Sequence, residues 1–327
     1  MDFAGIKTVS DCLQQAKRAE QEKQPQQALA MYARAVEIDP NHLEARQNLA
    51  DYYFAQKDYN SALNTYISAM QIDPNVAFLH LRLGRIAELQ NRLDDAVASY
   101  EYAIKLDPED VRIYQALGGL QFDKKQFSWA EGTYKRAIEL GSKLPLVYFR
   151  LGRIAQQQNQ NEAAIAHFKS AIALNKKNPA FYISCGESYY KQKQLGLAID
   201  AYKQAIALAP RSLRAHQLLG EASLAQNNLP TAKSSYERAI ELGSKAPWVR
   251  FKLGRIAHRR KKMEDAANWY EEAIAMNPQN PQFHYHLGIV KAKQLNLEQA
   301  RASYERTLSL NPEHNRAREA LQSMAIS

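Results

Sequence analysis

The sequence predicts an all-α solenoid built from repeated helical pairs. Three observations carry that expectation. One 34-residue phrase recurs nine times from Val9 onward with no insertion or deletion. Position 20 of every copy is alanine, from Ala28 and Ala62 to Ala300, and position 24 is always aromatic, tyrosine in eight copies and Phe168 in the fifth. Position 32 is proline in six copies: Pro40, Pro74, Pro108, Pro210, Pro278 and Pro312. A strict period of this length marks a stack of identical supersecondary units, and 34 residues fit a helix–turn–helix. Such a stack escapes the size limit of a single core, because each unit buries its apolar face only against its neighbours.

The elements follow in chain order. Residues 1–8 form a lead-in. The copies then start at 9, 43, 77, 111, 145, 179, 213, 247 and 281, and the ninth ends at 314. The first two carry Ala16 and Ala50 at position 8, where the other seven have glycine, which suggests slightly looser terminal units. The third copy shows the pattern best. Leu79, Leu83, Ile86 and Ala87 recur at helical spacing and make the apolar stripe of a first helix. Gln90–Leu93 makes the turn, and Asp94 and Asp95 supply negative charge at the start of the second helix. Ala96, Tyr100, Ala103 and Ile104 form its inward stripe, and Leu106-Asp107-Pro108 stops it, since proline lacks an amide hydrogen and drives the preceding residue out of helical geometry. Glycine at position 8, as at Gly84, is costly in mid-helix. Close approach of the position-24 aromatic offsets that cost. Copies four and seven end instead in Leu-Gly-Ser-Lys, where Gly141 and Gly243 suit a left-handed closing residue and Pro145 and Pro247 open the next helix. Residues 315–327 hold a last helix, with Ala317, Ala320, Leu321 and Met324 on one face to cap the array.

Composition bounds the remaining possibilities. Net charge is +9, unevenly spread: residues 1–142 hold 16 Lys/Arg against 20 Asp/Glu, and residues 143–327 hold 27 against 14. A basic second half favours acidic partners. No apolar run reaches the ~20 residues of a membrane span. The start has no basic stretch followed by an apolar core, so no signal peptide is expected and the cytoplasm is the default location. Cys12 and Cys185 stand five copies apart at interior positions and read as small buried hydrophobes. No phosphate-cradling glycine loop, metal-ligand spacing or catalytic constellation stands out. His284 and His286 are two apart and point to different helix faces. No enzyme activity, cofactor or metal is expected.

The small residue at 8, Ala at 20, the aromatic at 24, Ala at 27 (Thr307 in the ninth copy) and Pro at 32 resemble the tetratricopeptide repeat (TPR) family over residues 9–314. The family's tryptophan at position 4 is absent; Tyr114, Tyr148 and Tyr182 stand there in the central copies. The resemblance implies a right-handed superhelix whose first helices line a concave groove, used to bind an extended peptide segment of a protein partner. Two recognition schemes of the family are a poor fit. Of the chaperone-binding carboxylate clamp only Asn48 and Arg82 match, and the position-6 asparagine ladder of glycosyltransferase arms is reduced to Asn48.

By the same resemblance, positions 2, 5, 6, 9, 12 and 13 face the groove. Positions 6 and 9 share a helix face and hold Arg82 and Arg85, Arg150 and Arg153, and Lys252 and Arg255; His258 and Arg259 extend the last pair. With Phe149 and Phe251 as apolar anchors, these residues point to a site for an acidic peptide, since the guanidinium fork matches carboxylates. The competing expectation is a solvated basic surface. Two other functions stay open: the substrate-selecting arm of a larger transferase-type enzyme, and anionic-ligand or nucleic-acid binding by the basic half. The run His258–Lys262 could touch nucleic acid, although a solvated turn is the simpler reading. Tyr134–Ala155 and Tyr236–Ala257 match at 17 of 22 positions with an offset of 102 residues, which points to duplication of a three-repeat block.

Overall fold

The computed structural model describes residues 8–326, and every regular element in that range is an α-helix. Residues 1–7 of the expected lead-in, and Ser327, lie outside the described residues. The first pair is α1 (Val9–Gln21) and α2 (Pro25–Ile38), followed by α3 (Leu43–Ala55) with α4 (Tyr59–Ile72) and α5 (Ala77–Leu89) with α6 (Leu93–Leu106). Then come α7 (Val111–Asp123) with α8 (Phe127–Glu139), α9 (Pro145–Gln157) with α10 (Asn161–Leu174), and α11 (Pro179–Lys191) with α12 (Leu195–Leu208). The last pairs are α13 (Leu213–Ala225) with α14 (Leu229–Glu241), α15 (Pro247–Arg259) with α16 (Met263–Met276), and α17 (Pro281–Lys293) with α18 (Leu297–Leu310); α19 (Asn315–Ile326) ends the series. The chain divides into two compact units, residues up to Leu151 and residues from Gly152 onward, with the division inside α9.

Two different turns alternate. Between the helices of a pair, the residue at position 15 takes the left-handed conformation in every copy, with φ from 57° at Lys23 to 64° at Asn227. No glycine supplies it; Lys, Asn and, in the ninth copy, Leu295 do. Between pairs, the residue at position 31 leaves helical geometry: Asp107, before Pro108, has ψ 91°, the extended geometry a following proline imposes. Its carboxylate accepts from the Glu109 amide at 3.1 Å, a side-chain turn that Asp and Asn make readily. Asn175 does the same for Lys177 at 3.0 Å, although Lys176 replaces the proline. In copies four and seven, Gly141 and Gly243 close the second helices at φ 84° and 91°.

The core repeats as regularly as the turns. All nine position-20 alanines are completely buried. A Cβ placed on Gly84 would lie 2.5 Å from the Tyr100 ring, and one on Gly152 would lie 2.5 Å from Phe168. Position 8 is therefore the seat of the position-24 ring. The terminal copies are not looser in exposure: Ala16 and Ala50 are fully buried, and Tyr32 and Tyr66 are sealed as well. α19 stands in first-helix register, with Ala320, Leu321 and Met324 packed against the buried group of Ala300, Tyr304 and Ala317.

The residues standing where the family has tryptophan have a specific task. From the second copy on, position 4 carries Arg, His or Tyr, and each donates to the carbonyl six residues earlier, at position 32 of the preceding copy. Arg46 reaches the Pro40 oxygen at 2.6 Å, His80 that of Pro74 at 2.9 Å, and Tyr114 that of Pro108 at 3.1 Å. Arg318 of α19 repeats the bond to Pro312 at 2.6 Å. These carbonyls lie in the turn beyond the helix end, so a long donor here ties that turn to the next first helix.

Candidate functional site

In the first unit, Arg82, Arg85, Arg112 and Arg150 line a cavity of about 410 Å³ together with Phe78, Glu88, Asp123 and the exposed Leu144 and Leu146. Every one of these cations already has a carboxylate. Arg82 Nε lies 2.9 Å from Asp51, a charge contact too poorly angled for a hydrogen bond. Arg85 pairs with Glu88 at 3.5 Å, Arg112 with Asp110 at 2.6 Å, and Arg150 with Asp123 at 3.4 Å. The guanidiniums also lie over rings: Arg82 is 4.9 Å from the Phe78 centroid and 5.2 Å from that of Phe54, and Arg150 is 5.2 Å from Phe122. Such faces attract a cation. Arg150 further donates to the buried Tyr134 hydroxyl at 2.9 Å. Burial pushes the Tyr134 phenol up to about 12, with Arg150 working against that rise.

The second unit is built differently. Tyr190, Glu221, Leu224, Ala225, Asn227, Lys252, Arg255 and Arg259 line a cavity of about 440 Å³. A neighbouring cavity of about 330 Å³ contains Arg153, Gln156, Glu187 and Leu218 and shares Tyr190 with the first. Among the described residues, Arg153, Lys252, Arg255 and Arg259 have no ion-pair partner. Lys252 is half-buried, and desolvation holds its ammonium below the ordinary lysine range, with Glu221 opposing and Arg255 assisting the drop.

The duplication explains the contrast. Residues 102 apart occupy equivalent positions, so Lys252 stands where Arg150 does, Arg255 where Arg153 does, and Ala225 where Asp123 does. One exchange removes the fork that bonds the tyrosine, and the other removes the carboxylate that neutralises the cation. Arg to Lys is not conservative at such a site, because the single ammonium cannot serve two acceptors in the fixed directions of a guanidinium.

Of the residues singled out from the sequence, Arg82, Arg85 and Arg150 meet in the first cavity, and Lys252, Arg255 and Arg259 meet in the second, with Arg153 next to it across Tyr190. The two aromatic anchors line none of these cavities. Phe149 is half-buried. Phe251 packs between helices, with ring centroids 5.0 Å from Phe283, 5.1 Å from His286 and 5.6 Å from Tyr270. Position 5 points into the seam between successive first helices, so its aromatic joins the core. Rings at positions 2 and 12, Phe78 and Tyr190, line the cavities instead. His258 accepts from Lys293 at 3.0 Å through Nε2, and burial followed by that ammonium lowers its pKa. His284 bonds the Pro278 carbonyl at 2.9 Å, while His286 lies among Phe251, Tyr270 and Tyr285, so the two rings do face different ways. Tyr190 stands at groove-facing position 12, where the resemblance places aromatics on this surface, and lines both cavities; Glu221, at groove-facing position 9, was missed as a site residue. A lone carboxylate among recurring cations carries no local signal beyond that position.

Comparison with known proteins agrees with this geometry. Tetratricopeptide repeat models match residues 19–83, 180–212 and 218–281, and a TPR repeat model matches residues 89–125 and 152–193. No curated protein matches the sequence. Among solved structures, the C-terminal part of a TPR repeat-containing protein from Cytophaga hutchinsonii aligns with TM-score 0.60 at 16% identity, covering 74% of this chain and 99% of that one. The TPR protein YrrB aligns with TM-score 0.53 at 20% identity, over 58% of this chain and 97% of its own. Pseudomonas aeruginosa pilF aligns with TM-score 0.53 at 18% identity, over 65% and 97%. These likenesses concern the fold. With repeat models matching along most of its length and helix pairs in strict 34-residue register, the chain belongs to the tetratricopeptide repeat family, whose repeats serve as protein–protein interaction modules.

Proposed function

We propose that the chain is a non-catalytic interaction scaffold whose second unit binds an extended acidic segment of a protein partner. The segment lies along the first helices, over the two cavities that share Tyr190. Arg153, Lys252, Arg255 and Arg259 are its charged contacts, and Tyr190 and Leu224 supply apolar surface. The observation that carries this reading is the difference in pairing between the duplicated positions: Arg150 has Asp123 at 3.4 Å, whereas Lys252 has Ala225 in that place and no carboxylate in ion-pair contact, Glu221 acting on it only from farther off. Unpaired cations that are already half-buried, as Lys252 and Arg255 are, favour an anionic partner over solvent ions, because their desolvation is in part complete. YrrB, a TPR protein of similar fold, is described as having an unusual peptide-binding site, which supports peptide binding on this architecture.

Selection from a random 12-residue peptide library tests the proposal. Wild type should enrich Asp- and Glu-containing peptides. A variant with Arg153, Lys252, Arg255 and Arg259 all changed to Glu should lose them while keeping its helical circular dichroism. Enrichment of neutral or basic peptides by wild type, or the same acidic peptides from both proteins, would overturn it.

A further inference from the structure

The position-24 tyrosines differ in the fate of their hydroxyls. In the first unit each has a partner on a first helix: Tyr32 donates to Glu20 at 3.0 Å, Tyr66 to Asp51, Tyr100 to Glu88 at 2.8 Å, and Tyr134 accepts from Arg150. In the second unit Tyr236 and Tyr270 are completely buried, and neither hydroxyl has a hydrogen-bond partner. A buried hydroxyl left unbonded is a standing cost to the fold, and such groups are rare enough to need a reason. The copy-five ring shows that the hydroxyl is dispensable for packing, because Phe168 fills the same seat against Gly152.

Both hydroxyls lie by the unpaired cations. That of Tyr236 is within electrostatic reach of Glu221, Tyr190 and Arg255, all three of which line the larger cavity. That of Tyr270 is within reach of Arg255. Neither ring lines the cavity itself; by the 102-residue equivalence Lys252 stands where Arg150 reaches the Tyr134 hydroxyl, and Gly254, the seat of the Tyr270 ring, immediately precedes Arg255. The lining carries three cations and one carboxylate, a surplus of two positive charges. The first-unit lining carries four arginines and two carboxylates, the same surplus, but there each arginine is held in an ion pair.

We propose that the cavity around Lys252, Arg255 and Arg259 is a phosphomonoester pocket that receives a phosphorylated serine or threonine of the acidic segment, with the Tyr236 and Tyr270 hydroxyls as additional donors. This rests on the acidic-segment reading and sharpens it. A phosphorylated side chain brings close to two negative charges and three strong acceptor oxygens. Its charge matches the surplus, and its oxygens can use two hydroxyl donors that a single carboxylate could not both satisfy along with the cations. A nucleic-acid phosphodiester carries one charge per group and suits the pocket less well.

The test measures fluorescence anisotropy of one labelled Asp/Glu-rich 12-residue peptide, binding to the full chain, with phosphoserine, serine or glutamate at its centre, and of a 12-nucleotide single-stranded RNA. The phosphoserine form should bind at least tenfold tighter than the serine form, with the glutamate form within about threefold of serine. Tyr236→Phe with Tyr270→Phe should cut the phosphoserine preference about threefold or more, leave the serine-form affinity unchanged, and not lower the melting temperature. Equal binding of phosphoserine and serine forms would overturn the pocket and leave the acidic-segment reading standing. Binding of no peptide would overturn both, and RNA binding tighter than the phosphopeptide would reassign the surface to nucleic acid.

Discussion

Arg150 donates from Nη1 to the Tyr134 hydroxyl at 2.9 Å, and the equivalent pair 102 residues later, Lys252 and Tyr236, makes no such bond. The rings pack alike: a Cβ at Gly118 or at Gly220 would lie 2.7 Å from Tyr134 or Tyr236 respectively. Two copies of one block thus keep the same core and differ in what stands over it.

That difference should appear in stability. Tyr134→Phe removes a bonded acceptor from a guanidinium and should cost about 0.5–1.5 kcal/mol. Tyr236→Phe removes an unsatisfied buried hydroxyl and should be neutral or slightly stabilising. Urea denaturation midpoints of the two variants should therefore move in different directions or by clearly different amounts. An equal loss in both would mean that Tyr236 has a partner.

The glycines offer a second contrast. A methyl on Gly84 would meet the Tyr100 ring at 2.5 Å, while one on the exposed Gly132, inside α8, would meet nothing within 4 Å. Gly84→Ala should destabilise by roughly 1–3 kcal/mol through overpacking. Gly132→Ala should stabilise by roughly 0.5–1 kcal/mol, since glycine in a helix interior costs about that much. Thermal melting followed by circular dichroism reads both, and a stabilising Gly84→Ala would refute the packing account.

Leu295 holds the left-handed turn of the ninth copy at φ 62° and is 84% exposed. Other copies place Lys or Asn there, and asparagine tolerates this conformation better than most side chains. Leu295→Asn should stabilise the last pair by about 0.5–1 kcal/mol, by analogy with other substitutions that relieve backbone strain. Hydrogen exchange of α17 and α18 amides should slow; unchanged exchange would show that the left-handed turn costs leucine no more than asparagine.

His286 should make the protein acid-sensitive. Burial lowers its pKa to about 4, assisted by Arg255, His258 and His314. The unfolded chain takes up the proton near pH 6.5, and the folded chain resists it until about 4. Stability is therefore full above pH 6.5, falls as pH drops from 6.5 to about 4, and levels off below that. His286→Phe, in a seat already bounded by Phe251, Tyr270 and Tyr285, should flatten that part of the profile by up to about 1.4 kcal/mol per pH unit. His258, whose pKa is lowered in the same direction, leaves a residual slope. Parallel wild-type and variant melting curves across pH 4–7 would contradict this.

Much of the fold could be read in the sequence, and particular residues show why. Gly84 and Tyr100 sit sixteen residues apart in a rigid register, so a packing rule inferred for one copy held in all that carry it. Gly141 and Gly243 took the left-handed geometry expected of them. The position-15 turn was not legible, because Lys23, Lys125 and Leu295 carry no conformational signature of their own. Nor were the position-4 bonds, since Arg46, His80 and Tyr114 share only a donor at the end of a long side chain.

The sequence by itself determined the helix pairs, their register and the buried glycine–aromatic seats, because these depend on periodicity and side-chain size within one repeat. Only the tertiary structure decided which cations are free. Asp51 and Arg82, or Asp123 and Arg150, lie in successive copies and meet only when first helices stack. Charge counted along the chain cannot tell a paired guanidinium from an unpaired one, and ion pairing is what separates the cavity of the first unit from that of the second.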